Sequence, residues 1–227
     1  MHEGYNEHPI NPLPAVVWLL AAPILIGEIA FGLGQAGVLG PQNIGLRLDM
    51  LQRFAFDPGI ARAMVEQNTW PWTHVIRTIS YGFVHASLTH ALMVLVFVLA
   101  LGKMVGELFS GWAVAAVFFG ATIAGAVVYA ALPFSTVAIY GGYPGAYGLI
   151  GAFTWILWTR LGAAQASRAR AFSLIGMLMA IQLLFSVFFG GRPDWIADLS
   201  GFVAGFGLSF LVGPGGWRRA LARIRQR

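Results

Sequence analysis

The sequence predicts an all-α membrane protein, a six-helix bundle with one long external loop, and three observations carry that prediction. Of 227 residues, 58% are hydrophobic and 10% charged, with a mean hydropathy of +0.72; soluble domains carry about a quarter charged residues. A template of about 20 mostly apolar residues, enough to cross a hydrocarbon core of roughly 30 Å, can be laid on the chain six times. Small residues also recur at four-residue spacing inside several of those stretches, which lets helix backbones approach closely in lipid.

The predicted helices lie near 15–39, 78–102, 111–132, 144–161, 171–190 and 196–213. The first contains Glu28, a carboxylate deep in an apolar run that requires a partner or a proton. Between the first and second runs, residues 40–76 form the one long connection. Its Leu46, Met50, Leu51, Phe54 and Phe56, mixed with Arg47, Asp49 and Arg53, predict a helix or helical turn at the membrane interface, followed by Trp70 and Trp72 in the aromatic belt. Ala121 with Gly125, Gly148 with Gly151 and Ala152, and Gly201 with Gly205 place the closest packing among the third, fourth and sixth helices.

Charge sets the orientation. With both termini on one side, that side receives Lys103, Arg160, Arg168, Arg170 and Arg218, Arg219, Arg223, Arg225 and Arg227; the other receives Arg47, Arg53, Arg62, Arg77 and Arg192 together with Asp49, Asp57, Glu66 and Asp194. The basic side is therefore cytoplasmic. The domains follow as an N-terminal tail, 1–14, a membrane domain, 15–213, and a basic tail, 214–227, which favours anionic lipid over nucleic acid. Residues 1–14 hold Glu3 and Glu7 and no Lys or Arg, unlike the opening of a signal peptide. Cysteine is absent, which removes thiolate chemistry. His85 and His90, five positions apart, are about 140° apart on a helix and do not form a metal pair, so no metal and no cofactor is expected.

Four separated patterns carry a resemblance. An arginine, Arg77, leads to Tyr81, His85 and, five residues on, His90; a Gly and Glu turn follows at 102–111 with Glu107; Gly145-Ala146-Tyr147-Gly148 opens the fourth helix; and Asp198-Leu199-Ser200-Gly201 runs on to Gly205 in the sixth. In order and spacing, over roughly 70–213, these resemble the rhomboid intramembrane proteases, with their Gly-x-Ser-Gly and His-x-x-Gly-x-x-x-Gly motifs. The resemblance implies a bundle with a water-accessible cavity opening to the extracytoplasmic side. There a fourth-helix serine attacks the peptide carbonyl, a sixth-helix histidine is the base, and a second-helix histidine and asparagine hold the oxyanion.

Carried over position by position, Tyr147 stands at the serine, Asp198 at the base and Val94 at the asparagine, leaving His90 alone unchanged. The Trp-Arg pair often found in the family's first loop is missing too, since that dipeptide occurs only at Trp217-Arg218. A phenol with an ordinary pKa of about 10 and a carboxylate with one of about 4 do not make a serine–histidine pair. Losing an oxyanion donor costs about 100-fold to 1000-fold more. Ser200, two residues past Asp198, is rotated by about 200° and faces elsewhere.

The expectation is therefore a catalytically inactive rhomboid-like protein, not an enzyme, in which His90, Tyr147 and Asp198 form a hydrogen-bonded plug or a binding site. Its partners are other integral membrane proteins, held through the bundle beside the second and fifth helices, where Phe172, Phe185, Phe188 and Phe189 offer a contact face. The alternatives are a structural subunit of a larger membrane assembly or a residual serine-type protease. Short loops and arginine-rich ends suit a bacterial inner membrane.

Overall fold

A computed structural model describes residues 12–189 and 193–216, with the backbone alone at Leu183, Phe185, Ser186, Val187 and Phe189. The α-helices among the described residues are α1 (Ala15–Gln35), α2 (Leu46–Phe54), α3 (Pro58–Glu66), α4 (Trp72–Val75), α5 (Arg77–Ser80), α6 (Leu88–Gly106), α7 (Gly111–Ala131), α8 (Tyr143–Ala163), α9 (Ser173–Phe189) and α10 (Trp195–Val212). Among the described residues there is no sheet, only one antiparallel bridge that ties Phe56 to Ile139. By length and composition α1, α6, α7 and α10 are able to cross a membrane. Helix α8 is as long as α7 but carries Pro144, Arg160 and several Gly and Tyr residues, and α9 has 17 residues.

The first and second predicted helices need correction. Helix α1 stops at Gln35 because Gly37 and Gly40 take φ of 74° and 92°, a turn conformation that glycine reaches without strain. The second long helix starts at Leu88, ten residues later than predicted. Residues 77–83 instead make short helical turns, and Ser87 caps α6 by accepting the His90 N–H at 3.2 Å. The apolar residues before Ser87 are covered by protein: Tyr81, 0% exposed, donates its hydroxyl to the Thr122 carbonyl at 2.7 Å and accepts the Gly141 N–H at its own carbonyl. A hydropathy window does not distinguish burial under a neighbour from burial in lipid.

The centre of the bundle is α7, α8 and α10, as the small-residue spacing predicts. Helices α8 and α10 run side by side in register. Gly148 lies against the backbone of Gly205, Gly201 against the Pro144 carbonyl, and Gly151 against the Phe202–Phe206 backbone, leaving no room for a side-chain carbon. Helix α7 closes the other side, with Gly125 packed on the Ala197 carbonyl and Gly145 on the Phe118 ring. Helix α1 joins through α6, with Val17 resting on Gly102 and Pro14 on Gly106.

The long loop is folded onto these helices. Asp57 caps α3 through the N–H groups of Gly59 and Ile60, with Pro58 in the first turn. Arg62 of α3 donates to the carbonyls of Ala130, Leu132 and Ser135 and to the Ser135 hydroxyl, satisfying acceptors at and beyond the C-terminal end of α7. Arg47 of α2 is the partner that Glu28 required. It forms a two-pronged ion pair at 2.9 and 2.7 Å and also donates to the His85 carbonyl, while its guanidinium covers the Phe31 ring.

Candidate functional site

The α8–α10 seam brings Tyr147 and Asp198 together. Both are about 95% buried, Tyr147 one turn into α8 and Asp198 in the first turn of α10. They are joined through a third residue, Gln182 of α9. The Tyr147 hydroxyl donates to Gln182 Oε1 at 3.2 Å, and Gln182 Nε2 donates to Asp198 Oδ2 at 2.8 Å. The amide suits the position because it accepts at one end and donates at the other, so both buried groups are satisfied at once.

His90 is not part of this chain. Its imidazole stacks on Tyr143, with ring centroids 5.1 Å apart and planes 21° from parallel, and it meets His85 edge-on at 5.0 Å. Its Nε2 is buried without a hydrogen-bond partner. The expected plug of His90, Tyr147 and Asp198 is thus corrected to Tyr147, Gln182 and Asp198. Gly141 explains the position of the ring: its φ is 101°, and a methyl group there would come within 2.5 Å of His90 Cε1 and Nε2.

His85 has a structural role that its spacing does not reveal. Its Nε2 accepts the N–H of Gly142, the residue that precedes α8, at 3.2 Å, filling one of the acceptor vacancies at a helix start. Burial above all, then the neighbouring His90 and Arg47, pushes its pKa down to about 3, so the ring stays neutral and keeps this acceptor available. The Phe83 carbonyl acts on the imidazole, but Nδ1 lacks a partner in hydrogen-bonding geometry.

The remaining motif positions separate into supports. Val94, fully buried, backs onto Gly142, where a methyl group would meet its Cγ1 at 2.8 Å. Gly148, Gly201 and Gly205 build the seam, and Gly145 faces Phe118 and Thr122 of α7. Arg77 opens α5, half-buried with Nε unpartnered, and Glu107 is exposed at the C-cap of α6. Neither reaches Tyr147 or Asp198 by a described contact.

Beside the relay lies a cavity of about 350 Å³. Tyr81, His90, Tyr140 and Tyr143 supply rings to its wall, Gln182 and Asp198 its polar surface, and Thr89 and Met93 of α6 one flank. Helix α9 packs on the core through Leu174, Ile175, Leu178 and Met179 near its start, whereas Ile181, Leu184 and Phe188 further on are 45%, 57% and 74% exposed. The predicted contact face is corrected at Phe172, which turns inward onto Phe202 and Phe206; the side chains of Phe185 and Phe189 lie outside the described residues.

Parallel α8 and α10 joined by glycines, a loop returning through His85, and a polar pair facing a cavity coincide with a match to the rhomboid domain over residues 73–215, more than half of the chain. The chain belongs to the rhomboid family. Within the rhomboid domain lie the relay, the cavity and every motif glycine, while α1 and the α2–α3 loop precede it. A search among curated proteins finds no match to the chain.

The sequence shows Gln182 as an amide in an apolar run but gives no sign of its two partners. The only signal is generic, that a polar group at membrane depth must be paired. Tyr140 and Tyr143 pass unremarked because tyrosines near helix starts ordinarily serve as interfacial anchors.

Proposed function

We propose that this rhomboid is catalytically inactive and recognises other membrane proteins through its bundle, crossing a bacterial inner membrane six times with both ends in the cytoplasm. The observation that supports the reading is the Tyr147–Gln182–Asp198 chain at the α8–α10 seam. A rhomboid hydrolyses a peptide bond with a serine and a histidine on these two helices. Here the tyrosine hydroxyl is directed to an amide, and the carboxylate is engaged by the same amide.

Among the described residues no hydrogen bond joins a serine or threonine hydroxyl to a histidine ring, Thr89 on the cavity flank included. Ser200 is bonded to the Ile196 carbonyl, Ser80 to Phe54 and Thr122 to Phe118, while Ser87 serves as a helix cap. His90 is stacked on Tyr143 and bonded to none of them. Without a base beside a hydroxyl, and with Val94 in place of an amide donor, the site lacks the means to raise and then stabilise a tetrahedral oxyanion. What remains is the bundle's shape: a cavity bordered by α6 and α9, with apolar side chains exposed on both helices for a partner helix to lie against.

Two experiments test this reading. Protein in bilayers with a panel of single-span substrates is expected to release no fragments. Cleavage that disappears in Tyr147→Ala would overturn the assignment, whereas fragments appearing only in a Tyr147→Ser, Asp198→His, Val94→Asn triple variant would support an intact protease frame. Photocrosslinking from Met93 in native membranes, followed by mass spectrometry, is expected to capture several membrane proteins. One stoichiometric partner would favour a dedicated subunit, and no membrane protein at all would defeat the recognition reading.

A further inference from the structure

Two buried acids of the bundle are treated differently. Glu28 is met by a guanidinium with two hydrogen bonds. Asp198, equally withdrawn from solvent at 5% exposure, is met only by the neutral amide of Gln182 and has no cationic partner among the described residues. A buried carboxylate without a countercharge is costly, and the cost is recovered if a cation reaches it.

The cavity bordering Asp198 suits such a cation. Its volume of about 350 Å³ corresponds to roughly ten water molecules. Among the described residues neither Lys nor Arg lines it. Tyr140, Tyr143 and His90 line the space beside the buried Tyr81, and aromatic faces attract ammonium and guanidinium groups. Met93 and Ile139 add apolar wall of the kind on which the methylene stem of a long basic side chain rests. Thr89, His90 and Met93 come from α6 and Gln182 from α9, the two helices between which a partner helix would lie.

We propose that this cavity receives the lysine or arginine side chain of a partner's transmembrane helix, with the cation against Asp198 and the tyrosine rings around it. The proposal rests on the client-recognition reading and names the chemistry that a client brings.

Full-length protein in phosphatidylcholine nanodiscs is titrated with synthetic Leu/Ala single-span helices carrying, at one position about five residues inside the extracytoplasmic end, Lys or Gln. The Lys helix is expected to bind about tenfold more tightly. Asp198→Asn is expected to reduce that preference to within about twofold, Asp198→Glu to retain it, and Tyr143→Leu to weaken Lys binding by about threefold.

Equal affinity for the Lys and Gln helices would overturn the proposal, and so would the same preference with Lys moved to the opposite end. Both comparisons use the unaltered protein and do not depend on whether a variant folds. A preference surviving in Asp198→Asn would overturn it as well. In each of these outcomes helices still bind and client recognition stands. If no helix binds, the proposal falls, and the crosslinking from Met93 decides separately whether clients are recognised.

Discussion

The α8–α10 seam and helix α9 border the same polar site and are built in opposite ways. Along the seam, glycine backbones touch and no side chain intervenes. Helix α9 rests on the core by its first two turns, and beyond them its described inward tie is the pair of hydrogen bonds made by Gln182. Gly176 of α9 has nothing within 4 Å of where a methyl group would stand. The described contacts therefore hold the seam by close backbone packing along its length and α9 by its first two turns and Gln182.

The largest test of this contrast is Gly205→Val. It forces the seam apart and is expected to cost about 3 kcal/mol, read as reversible unfolding in bicelles; a loss under about 1 kcal/mol would show that the seam yields. Arg47→Met comes next. It leaves Glu28 buried without its countercharge and is expected to cost about 2 kcal/mol, below the usual figure for a buried pair because the Arg47 side chain is 27% exposed. The double variant Glu28→Gln, Arg47→Met should recover part of that loss, and a double variant worse than Arg47→Met alone would contradict the pairing.

Gln182→Met removes the link between the two regions and leaves Tyr147 and Asp198 without their partner. About 1 to 2 kcal/mol is expected, with labelling of a cysteine placed at Ile181 becoming faster as α9 loosens. Unchanged labelling would mean that packing alone holds the helix. Smallest is Gly176→Ala, expected to be neutral or stabilising by at most about 1 kcal/mol; a clear destabilisation would reveal close packing on α9.

The same contrast marks how far the sequence could be read. Seam positions announce themselves, because Gly148, Gly201 and Gly205 must be small for one local reason that spacing reveals. The relay does not, since Tyr147, Gln182 and Asp198 lie on three helices whose relative rotation is set by packing. Four of the six predicted helices fall within two residues of α7, α8, α9 and α10 at both ends. The second begins late because a buried loop and a buried helix look alike in hydropathy. Glu28 is legible as a demand for a partner, but Arg47 sits in a segment that reads as an interfacial helix, and nothing in its spacing points to Glu28.

Arg62 carries one more consequence. By donating to carbonyls at and beyond the end of α7, it ties α3 to that helix and braces the long loop against the bundle. On the client-recognition reading proposed above, a partner helix would reach the cavity sideways through the lipid, and its encounter rate would scale with how many copies share a patch of membrane, whatever their concentration in the surrounding fluid.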